Sequence, residues 1–130
     1  MRIKLLLITL LMLCSSAFAA DEEAAAPQIA YYELKPAIVS NVTGGAAYIR
    51  INVQYMTEQP DMLDKVKTHS SALRHHIFML IAGQNGNTLK SREGKEELRK
   101  GILDVSKKTM KELTGKEILN DVYFTAYYVK

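Results

Sequence analysis

Ala47 to Met56, AYIRINVQYM, alternates residue by residue. Tyr48, Arg50, Asn52 and Gln54 fall on one face; Ala47, Ile49, Ile51, Val53 and Tyr55 fall on the other. Side chains repeat every two residues along a strand, so this pattern describes a sheet with one wet face and one covered face. Another part of the chain must supply the cover. That requirement constrains how the remaining elements can be arranged.

Upstream, Ile29 to Leu34, IAYYEL, reads as a first strand, and AIVSNV continues extended beyond Pro36. Proline cannot donate to a ladder, so this strand is expected to lie at an edge or to bend there. Thr43-Gly44-Gly45 is a turn signal, and the two strands around it predict a hairpin. Downstream, Pro60 with Asp61 opens a helix, with Met62, Val66, Leu73, Ile77 and Leu80 near helical spacing and Ser70 filling the gap. Gly83 and QNGN are expected to end it, and AGQNGN reads as a turn. Ser91 is the expected N-cap of a second helix, with Glu93 in its first turn. Its stripe is Leu98, Ile102, Val105, Thr109 and Leu113. Gly94 and Gly101 weaken this helix by roughly 1 kcal/mol each relative to alanine unless packing requires them. Gly115 is its natural stop. Ile118 to Val129 is a final strand, rich in β-branched and aromatic residues. The order strand, strand, helix, helix, strand predicts an α+β domain: a small antiparallel or mixed sheet with two main helices packed on one face.

Residues 1–19 stand apart. Arg2 and Lys4 precede an apolar run from Leu5 to Cys14, and Ala17 and Ala19 form a small-x-small cleavage pattern. This is the pattern of a signal peptide, cut after Ala19 or one residue later. An uncleaved anchor in the inner membrane is the alternative, although the run is shorter than the roughly 20 residues a span needs. A lipid anchor on Cys14 would want a small residue where Leu13 stands. Residues 20–28, acidic and alanine-rich with Pro27, read as a flexible arm, and residues 29–130 as a single exported domain.

Cleavage would remove two basic residues and no acidic ones. The formal charge would fall from +3 to +1, leaving 15 basic against 14 acidic side chains. A near-neutral domain gives no reason to expect a nucleic-acid partner. Cys14, the chain's one cysteine, would leave with the signal. An exported domain would then have no disulfide, no thiolate nucleophile and no cysteine ligand.

The chemical readings of the remaining residues are weak. His69, His75 and His76 are the only histidines. His69 and His76 lie about 10.5 Å apart along a helix, too far for one zinc ion. His75 and His76 diverge by about 100° around the axis, with Met79 and Leu80 at the i+4 positions. Neither metal nor cofactor nor small-molecule substrate is expected. A small periplasmic enzyme or ligand binder using His75 and His76 is kept only as an alternative. Ser70 and Ser71 sit mid-helix without a nucleophile elbow. AGQNGN lacks the lysine and following Ser/Thr of a phosphate loop.

IFMLIA, Ile77 to Ala82, is apolar nearly all round, more than one helical face can bury. Phe78, Met79 and Ala82 are therefore candidate contacts with another layer or subunit, which points to a homo-oligomer. The aromatic run Tyr123, Phe124, Tyr127 and Tyr128 reads either as a strand covered on both faces or as a tyrosine-lined interface, with Tyr127 as a candidate contact.

YYELKPAIVSNV, YIRINVQYM, LRHHIFMLIAGQ, EGKEELRKGILDV and DVYFTAYYVK, in this order and spacing, resemble the flagellar basal-body-associated FliL family from about Tyr31 onward. The resemblance implies a periplasmic domain similar to the stomatin/prohibitin (SPFH) type. It also implies a non-enzymatic, ring-forming role around the flagellar stator at the inner-membrane basal body, in motility and chemotaxis. It carries over no catalytic residue. Pro36, Arg74, Gly94, Val122 and Phe124 match the family and read as fold determinants. The usual member has a membrane anchor where this chain has what looks like a cleavable signal. A soluble periplasmic relative supplementing a membrane-anchored one, or a scaffold for another envelope complex, is thus also open.

Overall fold

The structure, a computed structural model, describes residues 26–130. The expectations for residues 1–19 and for most of the arm lie outside the described residues. Three strands, β1 (Ala30–Asn41), β2 (Tyr48–Thr57) and β3 (Asp121–Val129), form an antiparallel sheet in the order β1-β2-β3. Between β2 and β3 run a 3-10 turn (Pro60–Met62) and four helices: α1 (Leu63–Thr68), α2 (Ser70–Ile81), α3 (Gly86–Lys90) and α4 (Arg92–Thr114). The expected hairpin and the return of the last strand to the sheet are both present. The sheet is purely antiparallel.

The alternation in β2 settles which face is covered. Ile49, Ile51, Val53 and Tyr55 are fully buried against the helices. Val66, Leu73, Ile77 and Ile81 of α1 and α2, with Leu98, Ile102 and Met110 of α4, complete the core. Apolar area removed from water here is the main stabilising term. Within it, the Tyr55 hydroxyl and the Ser106 Oγ lie 2.7 Å apart, which satisfies two polar groups that burial would otherwise penalise. This pairing turns the buried side of α4 toward Ser106 and Met110. Val105 is half-buried, and Leu113, expected on the stripe, is exposed.

β1 bends where expected. Its register with β2 shifts between Leu34 and Ile38, around a cis Lys35-Pro36 bond. Arg74 of α2 donates to the Pro36 carbonyl at this break. Two residues singled out from the family resemblance therefore meet, as fold determinants should. Gly94 is another such position: a Cβ there would lie 1.9 Å from the Thr88 carbonyl oxygen, so α3 and α4 can turn this corner only over a glycine.

Two local expectations need correction. The first helix is not continuous, because it kinks at His69 between α1 and α2. Thr68 Oγ1 donates to the Asp64 carbonyl at 2.8 Å, a back-bond of the kind that bends helices. AGQNGN is only partly a turn. Gly83 adopts φ 82°, but Asn85 then caps α3, accepting from the Asn87 and Thr88 amides at 2.9 and 3.3 Å. At the second helix, Ser91 Oγ accepts from the Gly94 amide at 3.0 Å and Gly115 closes α4 with φ 76°, both as expected.

Candidate functional site

Apart from Ile29 and Leu113, the large exposed apolar side chains among the described residues fall in two places, one on α2 and one on the bare side of the sheet. On α2 the inward positions Leu73, Ile77 and Ile81 are fully buried. Phe78 and Met79 face out, 44% and 59% exposed, and Ala82 is exposed just past the helix end. Phe78 and Ala82 stand one turn apart, so three of the four candidate contacts share the C-terminal end of α2.

Tyr127 is elsewhere and differently engaged. The register between β2 and β3 shifts at Asn52/Val53, so Phe124 pairs with Val53 and Ala126 with Asn52, leaving Thr125 as an extra residue. This bulge lets Phe124 and Tyr127, three residues apart, both face the helices, with ring centroids 5.2 Å apart. The Tyr127 hydroxyl donates to the Leu89 carbonyl at 2.6 Å, and Lys95 Nζ lies 5.0 Å over its ring. Burial pushes the Tyr127 phenol up from its ordinary pKa. Here Tyr127 ties β3 to α3 and α4.

The aromatic run thus divides between the two faces. Tyr123 and Tyr128 stand on the uncovered face, joined there by Tyr31 and Val39 of β1; all four are between 40% and 54% exposed. Tyr31 and Tyr123 stand with ring centroids 6.4 Å apart, and Tyr48 and Tyr128 6.0 Å apart. The two aromatic pairs flank a polar centre of Arg50, Asn52 and Gln54, where Asn52 Nδ2 donates to Glu33 at 3.4 Å. Sequence reasoning missed Tyr31 and Val39. The usable signal was the β2 alternation carried across the hairpin, since Tyr31 pairs with Met56 and Val39 with Arg50.

His75 and His76 are both exposed on α2. Their rings meet edge to face, with centroids 5.5 Å apart, closer than the helical projection suggests because surface side chains can lean together. No group of three or more His, Cys, Asp or Glu residues suited to a metal ion occurs among the described residues. A cavity of about 240 Å³ between α2, α3 and α4 has Leu80, Leu89 and Leu98 in its walls. It is smaller than typical ligand pockets of about 300–1,000 Å³. A groove of about 290 Å³ beside β3 is lined by Arg92, Lys95, Glu96, Arg99 and Phe124. Arg99 donates to Glu96 at 2.7 and 2.9 Å, to Asp121 at 2.7 Å and to the Val122 carbonyl at 3.1 Å. The hydrogen bonds from Arg99 hold Glu96 below the usual carboxylate range. These groups join α4 to β3. No helix among the described residues is long and apolar enough to cross a membrane.

The family model described as "Flagellar basal body-associated protein FliL" matches residues 31–129, from the second residue of β1 to the last of β3. The "Flagellar protein FliL" of Aquifex aeolicus (strain VF5) is 26% identical over 101 residues, which cover 76% of this chain and 60% of that protein. The chain thus spans less than two thirds of the length of this curated relative. Because the family match takes in all three strands but for Ala30, and every helix between them, the chain belongs to the flagellar basal body-associated protein FliL family.

Proposed function

We propose that this chain is a non-enzymatic component of the flagellar basal body that associates with the motor stator and supports rotation, motility and chemotaxis as a homo-oligomeric ring. Membership of the FliL family supports the flagellar assignment. The observation that carries the assembly part is the outward end of α2. Phe78 and Met79 remain open to solvent although the core beneath them is closed by Leu73, Ile77 and Ile81. Large apolar side chains grouped on a helix surface mark contacts with other proteins. Export with removal of residues 1–19 would place the domain in the periplasm, at the inner-membrane basal body. It would be held there by protein contacts, beside a membrane-anchored relative if one is present. The stomatin/prohibitin-like relationship belongs to the same reading.

Deleting the gene and restoring it with Phe78→Asp/Met79→Asp tests the proposal. The parent gene should restore swimming, while the double variant, folded to the same stability, should restore little and should sediment as a smaller species. Normal swimming in the deletion strain, with no relative present, would overturn the flagellar role and favour a scaffold for another envelope complex. Full swimming with the double variant would overturn the assignment of this surface. N-terminal sequencing of the exported protein separates the cleaved form from an anchored one.

A further inference from the structure

The two outer strands of the sheet present unlike edges. β1 carries Lys35 and Pro36 at a register break, features that discourage further pairing. β3 has no proline or glycine and one charged residue, Asp121, at its start. Lys130 and Tyr48 exchange both backbone hydrogen bonds at 3.0 Å, so alternation turns the backbone groups of Tyr127 and Val129 outward. At the other end of the strand Val122 also points outward and is already served. Its amide donates to Asp121 Oδ1 at 2.8 Å and its carbonyl accepts from Arg99. Beyond Val122 no backbone hydrogen bond among the described residues reaches the outer side of β3. Such an edge is a template for one more strand.

The surroundings of this edge specify what an added strand carries. Its side chains would turn to alternate faces of the sheet. On the helical face they would stand beside Phe124 and Tyr127, with Arg92 and Lys95 of α4 in the adjoining groove. Glu96 and Asp121 are both taken by Arg99. Arg92 and Lys95, exposed and one turn apart, have no ion-pair partner among the described residues. On the open face the added side chains would stand beside Tyr123 and Tyr128, 40% and 50% exposed. The edge therefore complements carboxylates on one side and apolar or aromatic groups on the other. A second copy of this chain fits it poorly. Its β3 would bring the same two cations, and its β1 the proline and the register break.

We propose that the outer edge of β3 binds an extended segment of another protein as a fourth strand. That segment carries acidic side chains at alternate positions, facing Arg92 and Lys95, and apolar ones between them. The inference is independent of the flagellar reading. Amide exchange at Phe124 and Tyr127 in the full chain tests it, with Ile51, on the central strand, as the folding reference. The probes are end-blocked synthetic peptides of about six residues, a common strand length. One alternates glutamate with valine, one alternates lysine with valine, and one repeats the first with N-methylated peptide bonds. At ten times its dissociation constant the glutamate peptide should slow exchange at Phe124 and Tyr127 roughly tenfold and leave Ile51 unchanged. The lysine and N-methylated peptides should slow neither. Arg92→Gln/Lys95→Gln should weaken binding of the glutamate peptide about fivefold at low salt, the effect of two partly exposed ion pairs. Added salt should remove that difference. Equal protection by the lysine or the N-methylated peptide would overturn the proposal, as would no protection by the glutamate peptide at millimolar concentration. So would protection that rises with the protein's own concentration in the absence of peptide, which would assign the edge to a second copy. Should Arg92→Gln/Lys95→Gln fail to fold, the three peptides decide on the parent chain alone.

Discussion

The two faces of the sheet show how one strand can serve two tasks. Toward the helices, β2 presents Ile49, Ile51, Val53 and Tyr55, all buried, and stability resides there. Away from them it presents Tyr48, Arg50, Asn52 and Gln54, flanked by the half-exposed Tyr31, Val39, Tyr123 and Tyr128. Substitutions on the first face should act on folding. Substitutions on the second should act on what the protein touches, with little effect on folding. If the two sets of variants had the same consequences, the faces would not be divided in this way.

The largest effect should come from Ile51→Ala, which leaves a cavity at the centre of the buried face. Denaturant unfolding should show a loss of about 3–5 kcal/mol. Gly94→Ala comes next. Its Cβ would press on the Thr88 carbonyl and force the α3–α4 corner apart. A loss of about 2–3 kcal/mol in the same assay is expected, against a gain if the glycine were only a weak helix former. Tyr55→Phe should cost about 1–2 kcal/mol, since it leaves Ser106 buried without its partner.

Tyr55 also gives a pH test. Burial raises its phenol far above the ordinary value of 10.0. The unfolded chain loses this proton near pH 10 while the folded one keeps it. The stabilisation is therefore complete below pH 10 and is lost as pH rises from there toward the folded value. Unfolding free energy measured upward from pH 9 should fall more steeply in the parent than in Tyr55→Phe. The smallest folding effect should come from Tyr128→Ala on the open face, about 0.5–1 kcal/mol from the lost cross-strand pairing with Tyr48. A loss as large as that of Ile51→Ala would mean the face is not free.

The parts of this fold that could be read from sequence rest on short-range chemistry. The β2 alternation named its buried residues, Ser91 named its cap and Gly115 its stop. The α2 surface could also be anticipated, because IFMLIA holds more apolar side chains than one face can bury. The parts that could not be read depend on contacts between distant segments. Ser106 is buried because Tyr55, from another element, needs a partner there. The break at His69, beside the Thr68 back-bond, is not something periodicity can show. Tyr31 and Val39 join the open face through the β1–β2 register. Tyr127 turns toward Leu89 only because β3 holds one residue more than strict alternation allows.

That extra residue has a consequence for any strand laid against β3. Side chains up to Phe124 and from Ala126 onward follow opposite phases of the pleat. A regular incoming strand would match one half of the edge and be out of step with the other. Only a segment short enough to end at Thr125, or irregular enough to slip by one there, can pair along its whole length. The bulge thus acts as a filter on geometry. A strand laid there would be tested by the length and flexibility of its backbone before its side chains were read.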